Sequence, residues 1–415
     1  MSAAKTHFQK LLEKQWEFLE EEWPIVDAPN NHRSAVKQVG NIKHVKDVLM
    51  SRLGAIPVFF FLVVLWPLGT YPGPYREVEK GLLVLYHLAK GLAMDGMSPC
   101  IPKSSFHAIH AAFYKKYHGI VSKRVSYCLA NMFSTIYIRL ICAKEKNPAL
   151  FNHVTLHLDG HDTRATYDGQ DSAEMYSYKL KKSGLRTQVC IDSNGMALWV
   201  SKSQSCKNYN DGVMLQDMKV HEKFHNLDCV ALDGGYNQYI GKLLEDTDLA
   251  KRNFCCPIRK KRNKDLTTEE ANYNKIFGSF RSAMESLFGE LGRTFEKHNN
   301  RQPVIVDKRQ TYNLQLRLCL LLLNTKKMVA LLGLEPQPIH YSWMTDGFDY
   351  PLNNSTIEQI MEYTPVAEML EEANDMAKLQ DQFLHMTTME MDEPLSETRK
   401  HILVTAVEIP SMKKR

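Results

Sequence analysis

Three carboxylates stand where phosphodiester chemistry with divalent metal ions would need them. Asp159 follows the apolar alternation V-T-L-H-L, so we place it at the carboxyl end of a strand, and Asp233 follows a second apolar run, C-V-A-L. Glu285 lies where apolar residues recur every three to four positions, a pattern that predicts a helix. Carboxylates brought together from such elements can hold two divalent cations about 4 Å apart, which stabilise both the attacking and the leaving oxygen of a phosphoryl displacement.

Each acid taken alone also has an ordinary structural interpretation. An aspartate followed by glycine is typical of a turn, because both residue types readily adopt the backbone conformations of turns. A glutamate on a helix is typically solvated. The three positions become informative as an ordered set, through the residues that lie between them.

The surrounding pattern predicts the elements that position these acids. Strands are predicted at residues 154–158, 185–191, 196–201, 230–232 and 253–257. The stretch 191–195 contains Asn-Gly, which tolerates the positive backbone angles of a hairpin turn. Helical patterns follow Asp211, Asn237 and Glu269. Strands that alternate with helices after an initial hairpin predict a mixed α/β sheet with its active acids at one edge.

The motifs between the acids occur in a specific order. They read L-D-G-H-D-T, Y-K-L-K-K-S-G-L-R-T-Q-V, N-Y-N-D, A-L-D-G-G-Y, C-P-I-R-K-K-R-N-K-D-L-T-T-E-E-A-N-Y-N-K and R-S-A-M-E-S-L-F-G-E-L. This ordered set resembles the nuclease domain of PIF/Harbinger-type DDE transposases over roughly residues 80–325. The resemblance implies an RNase H-like fold in which Asp159, Asp233 and Glu285 form the catalytic, metal-binding Asp-Asp-Glu triad.

The chain departs from the family pattern at two positions. Asp211 matches an aspartate that relatives usually carry in a G-S-x-H-D-like turn, whereas this chain has C-K-N-Y-N-D there, and His161 stands where many relatives have threonine. Glu290 and Glu296 are alternative third acids further along the helical pattern. The register R-S-A-M-E-S-L-F-G favours Glu285 over both.

The resemblance also implies a reaction and its partners. The reaction is hydrolysis of a DNA strand at a transposon end, followed by attack of the freed 3′ hydroxyl on target DNA, with two Mg²⁺ or Mn²⁺ ions as cofactors. The expected partners are double-stranded DNA, a Myb-like accessory protein and further copies of the chain, and the expected location is the nucleus. Two alternatives remain at this stage: a domesticated, catalytically inactive DNA- or chromatin-binding protein, and a structural interaction protein that uses its acidic tail.

Charge is distributed in blocks along the chain. The 415 residues carry a net charge of +5, but residues 340–397 contain 13 acids against the single base Lys378. The rest of the chain is therefore strongly basic, which suits a polyphosphate partner. We expect the segment 331–415 to be a partly disordered acidic tail, with one amphipathic stretch at 357–379 that could dock on a partner.

Two basic clusters flank the predicted acids. One lies on the first hairpin and the other in a loop between Asp233 and Glu285; their members are Lys179, Lys181, Lys182 and Arg186, and Arg259, Lys260, Lys261, Arg262 and Lys264. Either cluster could contact DNA phosphate or be simply solvated, and the second could also be a nuclear-import signal.

The amino-terminal part of the chain reads as helical. We assign residues 1–75 to a helical segment, whose Leu12, Trp16, Leu19 and Trp23 fall on one helical face suited to packing or to a partner helix. Residues 76–148 form a region in which a helix, a turn and a capped second helix resemble the helix-turn-helix that precedes the family's nuclease domain at 149–330. Its second helix would enter a major groove, although a plain helical hairpin fits the spacing equally well. The side chains that could face DNA are Lys103, Ser105, His107, Lys115 and Lys116.

Two sequence features argue against other protein classes. The apolar run 58–66 is bracketed by Pro57 and Pro67 and has nine residues, whereas a bilayer span needs about 20. We interpret this run as a buried segment. The nine cysteines show no C-x-x-C spacing, so neither a zinc module nor a disulfide framework is indicated, and reduced thiols are expected.

Overall fold

A computed structural model describes residues 36–67, 71–167, 170–260 and 264–349. These residues form two compact units. Within the described ranges, unit 1 comprises residues 36–132, 291–302 and 310–349, and unit 2 comprises residues 133–290 and 303–309. The predicted amphipathic stretches near the amino terminus and at 357–379 lie outside the described residues.

Unit 2 contains a mixed sheet and carries the three candidate acids. Its strands are β1 (Leu156–Thr166), β2 (Tyr176–Ser177), β3 (Lys182–Asp192), β4 (Ala197–Val200), β5 (Gln204–Ser205), β6 (Val230–Ala231), β7 (Phe254–Cys255) and β8 (Val304–Ile305). β1 pairs antiparallel with β3 and parallel with β6, while β6 pairs parallel with β7 and β3 pairs antiparallel with β4. The order β4-β3-β1-β6-β7 therefore places β1 at the centre and confirms the predicted RNase H-like α/β fold.

The central strand is longer than the sequence predicts. We placed the end of this strand at residue 158, but β1 continues through Asp159 to Thr166. The extension is stable because residues beyond Asp159 pair with β3, from the Asp159–Val189 pair to the Arg164–Gly184 pair. The parallel partner β6 ends at Ala231, opposite His157. Asp159 thus lies in the middle of a strand, at the point where β1 loses one of its two neighbours.

The predicted hairpin forms with a different turn geometry. β3 ends at Asp192 and β4 begins at Ala197, and within the turn only Gly195 has a positive φ, of 73°. The Asp192 carboxylate accepts the backbone N–H groups of Asn194 and Met196 at 2.9 and 3.0 Å. An aspartate side chain therefore organises this turn, and Asn194 does not adopt the left-handed conformation.

Eight of the helices lie wholly within one unit. In unit 1 they are α1 (Ile42–Arg52), α2 (Ala55–Phe60), α3 (Glu77–Lys90), α4 (Lys103–Ala111) and α5 (His118–Asn131); in unit 2 they are α6 (Ile136–Lys146), α7 (Asp211–Asp217) and α8 (Asn237–Asp246). The long helix α9 (Thr268–Thr294) begins in unit 2, and its last four residues belong to unit 1, as does almost all of α10 (Arg309–Leu332).

Helix α9 packs on the sheet through an apolar stripe. Tyr273, Ile276, Phe277 and Phe280 recur at intervals of three and four, and all four join a buried cluster. The other members of that cluster are Phe151, Val154, Cys229, Ala231 and Cys255. The Phe151 and Phe280 rings stack with centroids 4.9 Å apart. Burial of this stripe fixes the rotation of α9, and with it the direction of every polar residue on the same helix.

Unit 1 confirms the interpretation of the apolar run as a buried segment. In α2 and the turn that continues it, most side chains of residues 58–66 are buried, and Trp66 stacks on Phe113 with centroids 5.1 Å apart. No single helix in the described ranges is long and apolar enough to cross a membrane. Two pairs of consecutive helices reach that length and apolar character only when each bent pair is counted as one: α1 with α2 and its continuation, and α5 with α6.

Two further predictions have clear outcomes. None of the nine cysteines, which all lie in the described ranges, forms a disulfide. The side-chain cap predicted for the second helix of the helix-turn-helix-like region is absent, because the position before α4 is Pro102, which cannot accept a hydrogen bond through its side chain.

Candidate active site on the central strands of unit 2

Asp159 lies on β1, and Asp233 lies two residues beyond the end of the neighbouring strand β6. The parallel register pairs Leu156 with Val230 and His157 with Ala231. Extended by two residues along both segments, this register brings Asp159 alongside Asp233. Because adjacent strands lie about 4.8 Å apart, the sheet itself delivers two carboxylates to one place. The pairing of β1 with β6 therefore brings together two acids that are far apart in the sequence.

A single arginine contacts both aspartates. Arg281 Nη2 lies 3.1 Å from Asp159 Oδ2, and Arg281 Nη1 lies 3.5 Å from Asp233 Oδ1. The Arg281 side chain is 16 % exposed, whereas that of Asp233 is 57 % exposed. Sequence reasoning did not assign a role to Arg281. The available signal was its position four residues before Glu285 on a predicted helix, which puts both residues on one face.

The remaining oxygen of Asp159 is also engaged. Asp159 Oδ1 accepts the backbone N–H of Gly160 at 2.7 Å and lies 3.8 Å from Lys179 Nζ. Asp233 caps the turn that follows β6, because its Oδ1 accepts the N–H of Gly234 at 2.5 Å. The turn interpretation of Asp233 is therefore correct as far as the backbone is concerned, and it is compatible with a functional role for the same carboxylate.

Glu285 lies on the stripe of α9 that faces this part of β1. Arg281, Glu285 and Phe288 are spaced i, i+4 and i+7, and Phe288 stacks on His161 of β1 with ring centroids 4.4 Å apart. Glu285 therefore lies between two α9 residues that contact β1 on either side of it, and it is exposed. Among the residues that the structure describes, no three His, Cys, Asp or Glu side chains are grouped closely enough to hold a metal ion.

The alternative third acids are placed differently. Glu290 is five positions beyond Glu285, which rotates it by about 140° around the helix axis. Glu296 lies beyond the end of α9, in the part of the chain that belongs to unit 1, where it forms an ion pair with Arg52. Neither acid shares the stripe of Arg281 and Phe288, so Glu285 is the acid on α9 that is best placed.

A second charged cluster lies on the opposite face of β1. Alternate residues of a strand point to opposite faces, so Asp162 points away from Asp159. Arg186 donates to Asp162 through Nε at 2.7 Å and Nη2 at 2.9 Å, and Ser177 donates at 2.5 Å. Burial alone would raise the pKa of Asp162, but these hydrogen bonds outweigh it and lower the pKa below its usual value.

Asp211 belongs to this second cluster. Its Oδ1 lies 3.1 Å from Arg186 Nη1, and burial raises the pKa of its carboxyl. The same oxygen explains the glycine that follows Asp159, since a Cβ on Gly160 would lie 2.8 Å from it. Asp211 therefore packs against the backbone of the candidate site without contacting Arg281. The sequence left the role of Asp211 open, and Lys179 and Asp159 of the candidate site are close enough to influence its pKa.

Two histidines, the buried His157 and the half-buried His161, flank Asp159 on its own face of β1. Desolvation lowers the pKa of both to about 4, and the nearby Arg281 contributes to the lowering of the His157 pKa. His157 packs on Phe280 with centroids 4.5 Å apart, as His161 packs on Phe288. Both side chains are therefore neutral near pH 7 and act as packing contacts between β1 and α9.

Basic residues border each aspartate. Lys179 donates to the carbonyl of Gly160 at 3.0 Å, and Arg259 donates to the carbonyl of Gly234. The exposed side chains of Lys181, Lys182 and Lys260 lie nearby in the chain, and Lys260 pairs with Asp265. Lys261 and Arg262 are outside the described residues. The two clusters that the sequence singled out thus begin beside Asp159 and Asp233 respectively.

Residues 161–324 match the family model described as DDE superfamily endonuclease. This segment is similar to DDE superfamily endonucleases. It contains Asp233, Arg281 and Glu285, and it begins two residues after Asp159. No curated protein and no solved structure matches the chain.

DDE endonucleases use divalent metal ions, and the donor set here fits such an ion. Carboxylate oxygens are the ligands that Mg²⁺ prefers, usually one or two per ion beside water and substrate phosphate. Asp159 and Asp233 supply such oxygens to a common point, marked by the guanidinium of Arg281. In the structure the positive group between the two carboxylates is this guanidinium.

The predicted DNA-binding residues of unit 1 lie on α4 and the turn that continues it. Lys103, His107, Lys115 and Lys116 are exposed, and Ser105 is half-buried. Lys103 forms an ion pair with Asp95, and Lys116 lies 4.9 Å from the centroid of the Tyr117 ring. A role of these residues in DNA binding remains a prediction.

Proposed function

We propose that this protein is a DDE-type transposase of the PIF/Harbinger kind, a metal-dependent DNA endonuclease that cuts transposon ends and joins them to target DNA. The observation that carries the proposal is the convergence of Asp159, on β1, and Asp233, just beyond the parallel strand β6, on one guanidinium. Two carboxylates at such a short separation repel each other, so the stability of the fold does not require them there. Phosphodiester chemistry does require them.

The proposed roles of the residues follow from their positions. Asp159 and Asp233 would hold divalent ions through their carboxylate oxygens, and Glu285 would complete the set from α9. When bound, Mg²⁺ or Mn²⁺ supplies charge stabilisation to the phosphate undergoing displacement and activates the attacking oxygen. The carboxylates fix where the phosphate sits, and the neutral His157 and His161 pack β1 against α9 beneath it.

DNA would be held by the basic groups around the site. Lys179 and Arg259 border the two aspartates, and Lys181, Lys182 and Lys260 extend this surface. Contacts of this kind neutralise phosphates and supply affinity with little dependence on base sequence. The exposed basic residues of α4 are proposed to contact DNA as well. Nuclear import through the cluster that begins at Arg259, a Myb-like accessory protein and a homo-oligomer complete the proposal.

The test has two steps: a search for short inverted repeats on either side of the gene, and then an assay for cleavage of DNA carrying such repeats in the presence of Mg²⁺. Asp159→Asn, Asp233→Asn and Glu285→Gln should each reduce cleavage at least about 100-fold, as expected for loss of a group that stabilises the transition state, while gel-shift affinity for the DNA persists. Glu269→Gln is the matched control, since Glu269 lies in the first turn of the same helix as Glu285.

The result also separates the proposal from its rival. Binding without Mg²⁺-dependent cleavage by the wild-type protein would favour a domesticated DNA-binding protein. Full cleavage by Glu285→Gln would remove that residue from the active site while leaving the two aspartates in place.

A further inference from the structure

Arg281 bridges the two candidate metal ligands by ion pairs alone. Its two terminal nitrogens each contact a different carboxylate, at 3.1 Å for Asp159 and 3.5 Å for Asp233. Its Nε is buried and has no hydrogen-bond partner in the described part of the chain. The guanidinium is therefore not locked in a bidentate pair, the geometry that makes arginine–carboxylate contacts strong.

The position of Arg281 conflicts with a divalent cation at the same carboxylates. Mg²⁺ binds carboxylate oxygens at about 2.0–2.1 Å, and Asp159 Oδ2 already lies 3.1 Å from Arg281 Nη2. The other oxygen of Asp159 is engaged by Gly160 N–H and lies near Lys179. A divalent ion bound to Asp159 Oδ2 would be repelled by the guanidinium beside it, so Arg281 in this position weakens metal binding.

Bound DNA offers the guanidinium another partner. A phosphate matches the planar fork of arginine and can accept two parallel hydrogen bonds from it, which the two separate aspartates do not provide. The basic surface begun by Lys179 and Arg259 would bring such a phosphate to the edge of the site. Movement of Arg281 to that phosphate would release both aspartates at once.

We infer that Arg281 is a positioning residue that keeps Asp159 and Asp233 paired in the DNA-free protein and yields them to metal ions when DNA binds. The inference rests on the proposed function and adds regulation to it. In this arrangement Arg281 competes with divalent ions for the same carboxylates. Metal binding and DNA binding then favour each other, and by thermodynamic linkage each raises the affinity for the other by the same factor.

The test measures Mn²⁺ affinity by electron paramagnetic resonance, with and without a duplex oligonucleotide. Arg281→Gln should bind Mn²⁺ about 5- to 100-fold more tightly than wild type in the DNA-free state, the usual range of such couplings. Addition of DNA should raise the Mn²⁺ affinity of the wild type more than that of Arg281→Gln. Lys275→Gln, an exposed position on the same helix, is the control for loss of a positive charge and should behave like wild type.

A second variant protects the test against loss of folding. Arg281→Lys keeps the charge but ends in one ammonium group, which cannot contact both carboxylates through separate nitrogens. Its DNA-free Mn²⁺ affinity should fall between those of wild type and Arg281→Gln. The melting temperature in EDTA, measured for every variant, establishes that the proteins compared are folded.

The outcomes separate this inference from the proposed function. If Asp159→Asn abolishes Mn²⁺ binding but folded Arg281→Gln and Arg281→Lys bind no more tightly than wild type, Arg281 does not compete and the inference is wrong. An equal gain in Lys275→Gln would also overturn it, because general charge would then be the cause. Absence of Mn²⁺ binding by every protein, with and without DNA, would instead overturn the metal-dependent function itself.

Discussion

Two arginine–aspartate arrangements in unit 2 use the same chemistry for different ends. Arg139 and Asp228 form a buried bidentate pair, with Nε–Oδ1 and Nη2–Oδ2 distances of 2.9 and 2.7 Å. Asp228 also accepts the Thr155 hydroxyl at 2.7 Å and the His225 backbone N–H at 3.0 Å. Both oxygens of Asp228 are thus satisfied by two donors each, and its side chain is 0 % exposed.

Arg281 makes a looser arrangement. Its contacts go to two different carboxylates, and one of these, Asp233, is more than half exposed. A buried ion pair that has lost one partner leaves an uncompensated charge in a medium of low dielectric constant. An exposed carboxylate that has lost its partner is simply rehydrated. A charge pair is therefore structural when it is buried and all its hydrogen bonds are made. It can exchange partners when it is partly exposed and some of its hydrogen bonds are missing.

The largest expected effect comes from breaking the buried pair. Asp228→Ala should lower the free energy of unfolding by about 3–5 kcal/mol, because Arg139 is left buried and unpaired. Urea denaturation of the purified variant measures the loss. The double variant Arg139→Met/Asp228→Leu, which removes both charges and keeps apolar volume, should lose less than Asp228→Ala alone. A decrease of less than about 1 kcal/mol in the free energy of unfolding of Asp228→Ala would contradict the structural role of the pair.

A smaller effect is expected from pH, through the histidines beside Asp159. The pKa values of His157 and His161 are lowered to about 4 in the folded protein, so between pH 6.5 and 4 the unfolded state binds more protons. Stability contributed by the neutral imidazoles is therefore complete above pH 6.5 and falls as the pH decreases towards 4, by at most about 1.4 kcal/mol per pH unit for each histidine.

The variant His157→Gln removes one of these groups. The melting temperature should decline less steeply between pH 6.5 and 4.5 in this variant than in the wild type, whereas His221→Gln, a change at a less buried histidine, should leave the slope unchanged. Identical slopes for wild type and His157→Gln would show that His157 titrates normally in the folded protein.

The smallest expected effect comes from breaking the looser pair. Asp233→Asn in metal-free buffer should change the free energy of unfolding by no more than about 0.5 kcal/mol, because exposed ion pairs contribute little and the repulsion between Asp233 and Asp159 is relieved. Thermal and urea melts measured beside Asp228→Ala give the comparison directly. Destabilisation similar to that of Asp228→Ala would make Asp233 a structural residue.

Much of this arrangement could be predicted from the sequence, because it is encoded locally. The apolar alternation before Asp159, the short run before Asp233 and the helical spacing around Glu285 each reflect the backbone geometry of one element. The helices that follow Asp211, Asn237 and Glu269 begin within one residue of those positions. Burial of the apolar run 58–66 was likewise predictable from its length and composition.

Other features depend on how distant elements pair. The register of β1 against β6, which aligns Asp159 with Asp233, joins segments whose pairing no local pattern specifies. The continuation of β1 past Asp159 depends on β3, since the polar residues beyond Asp159 carry no strand signal of their own. The position of Arg281 depends on the rotation of α9, which its aromatic stripe sets by packing on the sheet. The sequence by itself therefore determined which acids lie on which elements, and only the tertiary structure decided that one guanidinium lies between two of them.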